Sequence, residues 1–519
     1  MKKSLILIGS ACLVILAVRS PAEGQLIDNN QSSNTINAGI NKSYTQEIGT
    51  GRGDIDTPES SSYMITRDPF RAIRRGRQLF QRKFTVAEGQ GPRIQDGIGN
   101  IDLNPRLGAG LADSCALCHG RPRGSAGFGG NVATRPDSRD APHLFGLGLR
   151  EMLADEITRD LRSIRNKATT AATSKRKTIT LPLTSKGISF GSITVSPDGI
   201  VDTTHVTGVN PDLRVRPFFA QGDTISIREF IIGAANGEMG MQAVDSQMED
   251  AASKGYRYVT PSGMVLDGAL DQVEAPPASD TYSFVEMPTS IVDFMEFYLL
   301  NYFGTATYQQ TLQTKAGRAL FCSIGCSRCH IPDLQINHDR RVASFAINYD
   351  PVKVIFNKLF AIATTLYTTI NDGQPYPQKV PARQPFLVKD IFTDFKRHDL
   401  GSNFWERNYD GTIQKEFLTR ALWGVGSTAP YGHDGRSINL MEVILRHGGE
   451  AQHAREAFAS LRDLGRQSVI EFLNSMVLFP PDDTASNLDP GNPADPNFPQ
   501  SGHGSIKLTV LFNDPQDPE

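Results

Sequence analysis

Hydrophobic positions recur at helical spacing in three stretches of this chain. In REMLADEITRDLRSI, residues Met152, Leu153, Ile157, Leu161 and Ile164 fall on one face of a helix. TSIVDFMEFYLLNYF, residues 289–303, is strongly apolar, and LRDLGRQSVIEFLNSM carries a further amphipathic pattern near the end. Such stripes are most simply faces turned toward a core, and nothing in them requires a cofactor. A different period runs through KTITLPLTSKGISFGSITVSPDGIVDTTHV, where apolar residues alternate and Pro197-Asp198-Gly199 supplies a turn. It is expected to be the one β-rich insertion in a mainly α chain. The closing PPDDTASNLDPGNPADPNFPQSGHG is a Pro/Asn/Asp-rich loop before IKLTVLF, expected to wrap the surface and dock a terminal strand.

The first residues change where the protein is expected to work. MKKSLILIGSACLVILAVRSPAEGQ places Lys2 and Lys3 ahead of an apolar run, with Ala22 and Gly24 spaced like a cleavage site. This is the layout of a secretory signal over residues 1–24. A lipoprotein attached through Cys12 is the weaker reading, because the apolar run continues past that cysteine. No other stretch approaches the roughly 20 apolar residues of a membrane span, so a soluble, exported and periplasmic mature chain is expected. The 53 basic and 56 acidic side chains nearly cancel, which argues against a polyanionic partner such as nucleic acid. Length alone suggests roughly two to four domains with ample material for packed cores.

Without Cys12 the cysteines are Cys115, Cys118, Cys322, Cys326 and Cys329, an odd set that makes a poor disulfide framework. In SCALCHG, Cys115 and Cys118 are followed at once by His119, and FCSIGCSRCHIPDL repeats the order at Cys326, Cys329 and His330. In a C-x-x-C-H motif the two thiols form thioethers with the haem vinyl groups, and the adjacent histidine becomes the proximal iron ligand. The spacing matters because two sulfurs must reach one ring edge while the imidazole meets the metal. A zinc centre pooling both clusters would also use Cys and His, but it does not require histidine directly after the second cysteine in both copies. A thioredoxin-like dithiol lacks its βαβ surroundings. Two covalently bound haem c groups are expected.

Three further stretches accompany the motifs: RDAPHLFGLGL after the first, GAANGEMGMQ in the middle, and FLTRALWGVGSTAPYGHDGRS near the end. Together they resemble the bacterial di-haem cytochrome c peroxidase superfamily over about residues 70–480. That superfamily includes the enzyme that matures methylamine dehydrogenase and the di-haem rubber oxygenases. Within it the chain resembles the branch of di-haem oxidoreductases often labelled thiol oxidoreductases. The resemblance implies two cytochrome c-like haem domains facing each other, one haem reacting while the other stores or relays electrons. The expected layout is an N-terminal extension over 25–69, a first haem domain over 70–300 with the β insertion at about 177–215, a second over 301–480, and a tail over 481–519.

The resemblance also singles out site residues. Family peroxidases carry a methionine ligand fourteen residues after the histidine of the PY-x-H-x-G stretch, and counting from His433 reaches His447 here. Asn439 and Glu442 form a candidate capping box for a helix from Leu440, which would share a face with Val443, Ile444 and His447. A histidine on an apolar face is more often a core residue, but this position favours a ligand and thus a bis-histidine haem of lowered potential. The first haem has no equally clear sixth ligand. His143, in APHLFG, reads as structural, so an open or water-bound iron suited to peroxide or oxygen is expected.

Glu238, in NGEMG, matches the glutamate above the reactive haem and would shuttle a proton during peroxide cleavage, against the bland reading of a solvated loop carboxylate. Two departures weaken the peroxidase expectation: Arg228 stands where the family has glutamine, and Phe219 replaces the inter-haem tryptophan. The carbonyls of Thr428 and Pro430 and the side chain of Asp140 match calcium-binding positions, though the same residues would equally make a turn. Cys322 is an extra thiol, either buried and inert or exposed and reactive. His398, His205, His338, His453 and His503 read as structural. The expected partners are a small redox protein, cytochrome or cupredoxin, and a peroxide, oxygen or organic small-molecule substrate, with homodimerisation left open. The alternative is a di-haem electron carrier with both irons six-coordinate and no substrate chemistry.

Overall fold

The computed structural model describes residues 47–85, 112–120, 126–127, 129, 131–132, 139–274, 286–302, 310–349, 357–408 and 411–476. The signal segment with Cys12, the closing tail and His503 lie outside the described residues.

Helices α1 (Ser61–Arg67) and α2 (Pro69–Gln81) begin at side-chain caps: Ser60 accepts from the Tyr63 amide and Asp68 from the Arg71 amide. The short helix α3 (Cys115–His119) is the first C-x-x-C-H motif itself. Helix α4 (Leu147–Lys175) carries the expected stripe, with Met152, Leu153, Ile157 and Leu161 buried and Ile164 at the core edge. Helix α5 (Ile227–Gly237) opens on a full capping box from Ser226 and Glu229, and α6 (Ser246–Lys254) follows it. Helix α7 (Thr289–Asn301) is the centre of the first core, buried at every position from Ser290 to Asn301. Helices α1, α2, α4 and α5 pack around it. The absence of a side chain at Gly76 lets α2 come this close, since a Cβ there would stand 2.1 Å from the Phe294 carbonyl oxygen.

A second core forms from α8 (Leu312–Ser323), α9 (Leu440–Arg446), α10 (Gln452–Ala459) and α11 (Asp463–Asn474), with Phe321, Phe392, Phe458 and Phe472 buried in it. Helices α8 and α11 touch at Gly317, where a Cβ would meet the Ser468 carbonyl oxygen at 1.8 Å. Each core receives one motif: Cys115 and Cys118 pack against the first, and Cys326 against the second. Among the described residues no helix is long and apolar enough to cross a membrane.

The expected insertion is a three-stranded antiparallel sheet, Ile179–Ser185, Ile188–Val195 and Val201–Asp202, laid against α4. It is not the only β region, which corrects the expectation of a single insertion. Between the second motif and α9, short antiparallel pairs join Leu334–Ile336 to Phe386–Val388, Ala343–Tyr349 to Asn357–Thr365, Tyr367–Ile370 to Gln378–Pro381, and Arg397–Asp399 to Glu416–Leu418. The sequence there is rich in β-branched and aromatic residues, which favour a pleated surface. The class remains helices with small sheets. The segment read as an extension also enters the first core, through Met64 and Ile65.

Candidate haem sites

Ser114 caps α3 by accepting from the Leu117 amide at 3.2 Å, which fixes the start of the Cys115–His119 turn. Cys115 and Cys118 are half-buried free thiols, as are Cys326 and Cys329. Burial pushes Cys115 up to about 12 and raises Cys118, with the Glu238 charge adding to the second effect. The His119 ring lies between Phe80 and Phe230, each with its centroid 6.5 Å away. Its Nδ1–H donates to the Pro142 carbonyl at 2.8 Å, and desolvation pushes the ring down to about 4, so it is neutral at pH 7.

The second motif repeats this arrangement on different scaffolding. Gly325, at φ 98°, turns the chain into the short 3₁₀ segment Cys326–Arg328. His330 donates its Nδ1–H to the Phe392 carbonyl at 3.0 Å and packs 6.0 Å from the Phe321 ring. Burial lowers the His330 pKa as well. In both rings the bond takes Nδ1 and leaves Nε2 for a metal, with the tautomer set by a backbone carbonyl. His447 has the same habit: Nδ1 donates to the Val443 carbonyl at 2.7 Å, burial pushes it down to about 4, and a charge on His330 would disfavour one on His447. The donor set fits haem iron, a thiol pair followed by a neutral imidazole at each motif.

The remaining site residues are placed as follows. Glu238 sits at the C-cap of α5, where its carbonyl accepts from the Ala112 amide and its carboxylate lies near Cys118. Its Oε2 is buried without a hydrogen-bond partner, an orphan acceptor facing the first motif. Arg228 is turned away from that site. It is fully buried and ion-paired to Asp245, to Asp293 at 2.9 Å and to Glu296 at 2.7 Å. Arg52 reaches Asp293 from the other side at 2.7 Å. Desolvation opposes the charge on Arg228, but these carboxylates and Tyr258 hold its pKa well above the usual guanidinium value. Arg228 is therefore a structural hub between α5 and α7. Phe219 is 38% exposed and its ring lies tilted against Phe230 with centroids 5.3 Å apart, at the surface end of the aromatic contacts around His119.

Thr428 follows a 3₁₀ turn with its hydroxyl on the Gly424 carbonyl, Pro430 follows a cis bond, and Asp140 lies in a two-residue strand paired with Asn131. Cys322 is exposed. His143 lies beside the first motif with Nε2 donating to the Trp423 carbonyl at 2.6 Å. His398 is more than a packing residue. It is buried between Asp394 at 2.9 Å and Glu450 at 2.8 Å, with the Cys329 sulfur close by. Desolvation works against its charge, yet the bonds to Asp394 and Cys329 raise it to about 11. The Asp394/His398 spacing of four in TDFKRHDLG was the available sequence signal. The cluster of Cys329, Asp394 and His398 is the one group of three ligand-type side chains among the described residues, and it draws on a single motif.

Residues 364–476 match the di-haem oxidoreductase family. The family description reads "Di-haem oxidoreductase, putative peroxidase". The matched stretch holds His398 and His447, whose charges bear on His330, together with Trp423 and His433, while both C-x-x-C-H motifs precede it. No curated protein matches the chain. Among solved structures, hydrazine synthase of Kuenenia stuttgartiensis, pressurised with 20 bar xenon, is similar at 16% identity and a TM-score of 0.22. The alignment covers 38% of this chain and 59% of that one. A likeness that weak bears on neither fold nor function.

Proposed function

We propose that this chain is an exported di-haem c-type oxidoreductase in which the site at His119 meets peroxide or oxygen and the site at His330 exchanges electrons with a small redox protein. The observation that carries the reading is the repeated C-x-x-C-H arrangement, in which both histidines tie Nδ1–H to a backbone carbonyl and reserve Nε2. When bound, haem c supplies redox-active iron whose behaviour follows its axial ligands. Cys115 and Cys118, and Cys326 and Cys329, are the residues that would hold it. His447 is assigned as the second ligand at the His330 site, since its neutral ring and reserved Nε2 suit that role. At the His119 site the nearby His143 spends Nε2 on the Trp423 carbonyl, while its Nδ1 is buried without a hydrogen-bond partner, so the open coordination position rests on the family resemblance and the resonance experiment below.

Glu238 is the group positioned to move a proton at this site. Its orphan Oε2 can accept a proton from one peroxide oxygen and return it to the departing one, the exchange general acid–base catalysis requires. Asp140, Thr428 and Pro430 offer hard oxygens that would suit calcium. The layout of residues 1–24 supports export. Electron paramagnetic resonance of the resting and half-reduced protein separates this reading from a pure carrier. A ferric high-spin signal at one haem is expected; two low-spin signals in every redox state would instead establish a carrier.

A further inference from the structure

A continuous run of covalent and hydrogen bonds joins the imidazoles of His119 and His330. It starts at His119 Nδ1–H, which donates to the Pro142 carbonyl at 2.8 Å. Pro142 is bonded to His143, whose Nε2–H donates to the Trp423 carbonyl at 2.6 Å. One residue back along the chain, the Leu422 amide donates to the Ile391 carbonyl at 3.0 Å. Ile391 is bonded to Phe392, whose carbonyl accepts from His330 Nδ1–H at 3.0 Å. Trp423 is buried in the first core while Leu422 packs on the second, so the run crosses from one core to the other at this dipeptide.

We propose that His143 is the bridging residue of an electron path between the two iron sites, an inference that rests on the di-haem reading above. Electron tunnelling falls off less steeply along covalent and hydrogen bonds than across a van der Waals gap. This run contains no such gap between the two Nδ1 atoms. In the step it carries, the ferrous iron at His330 is oxidised to ferric and the ferric iron at His119 is reduced to ferrous. One electron moves, no bond forms or breaks, and the Nε2 proton stays on His143. His143 is the one link made by a side chain other than the two iron-binding imidazoles; the others are backbone. A ladder of aromatic rings reaches the same residue from the far side of His119: Phe80 to Tyr298 at 5.9 Å, Tyr298 to Tyr302 at 4.9 Å, Tyr302 to Phe145 at 5.3 Å, and Phe145 to His143 at 5.5 Å. By contrast, Phe219, at the position expected to lie between the haems, leads from Phe230 toward solvent.

The test compares His143→Gln with His143→Asn in the mature holoprotein. A glutamine amide reaches about as far as Nε2 and can still donate to Trp423; asparagine is one methylene shorter and cannot. Flash reduction of the half-oxidised protein, followed by transient absorption, reads the rate at which the electron passes between haems, and redox titration reads both potentials. Haem content is measured first, and a chain without two haems overturns the underlying di-haem reading. With both haems present and potentials matched, the Gln variant is expected to keep the parent rate. The Asn variant is expected to slow by about tenfold or more, because a hydrogen-bonded link becomes a gap beyond bonding distance. Equal rates in the two variants would overturn the path through His143, whatever happens to overall activity.

Discussion

At the scale of single residues, two buried polar groups do opposite work. Glu238 keeps an orphan oxygen beside Cys118, a feature that burial disfavours unless something else occupies the space. Glu238→Gln should keep both haems and slow peroxide-dependent oxidation of the ferrous protein by roughly 10² to 10⁴, the range of general acid–base help. Undiminished rates with intact haems would assign the proton to another group. Arg228, by contrast, has every reason to be structural: Asp245, Asp293 and Glu296 all close on it with no solvent near. Arg228→Met leaves those carboxylates with Arg52 alone, which reaches Asp293 and Asp245 and not Glu296, and should destabilise the protein by about 3–5 kcal/mol in urea unfolding. A loss below about 1 kcal/mol would show that the acids neutralise by taking up protons instead. Sequence comparison could note that Arg228 replaces a glutamine. It could not reveal that three acids, 17 to 68 residues away, converge on it.

Among elements, α9 shows what was legible and what was not. The helix does start at Leu440 under an Asn439 cap, with the Asn439 side chain accepting from the Glu442 amide at 2.9 Å. The Glu442 carboxylate, however, takes the Ile438 amide rather than that of Asn439. The helix also ends one residue early for the expected face: His447 is the C-cap, at φ −57° and ψ 129°. Its ring is oriented by the bond to the Val443 carbonyl and by the edge of Phe404 at 5.2 Å, contacts no period predicts. His447→Met should raise one haem potential and leave the other nearly unchanged, since imidazole favours ferric iron more than thioether does. Identical potentials in parent and variant would remove His447 from the iron. The strands of 334–418 went unread for a related reason. Apart from Ala343–Tyr349 and Asn357–Thr365, they are short pairs whose partners are set by tertiary packing, and a period of two over three or four residues is a weak signal.

For the molecule as a whole, the two motifs were plain in the sequence because their chemistry is local: two cysteines and a histidine within five residues. What joins them was not, because Pro142, Trp423 and Phe392 contribute only backbone carbonyls, which any residue carries. The helical stripes of α4, α7 and α11 were readable for the same reason as the motifs, since a buried face repeats along its own helix. The assembly of two cores, each holding a motif histidine whose Nδ1 is bonded to a backbone carbonyl, depends on contacts across hundreds of residues. The two cores can work as a redox pair only if both motifs carry haem. The direct measurement is the intact mass of denatured protein matured in a periplasm. Denaturation removes anything bound without covalent bonds, so a mass raised by two haems is the predicted result, and an unmodified mass would contradict it.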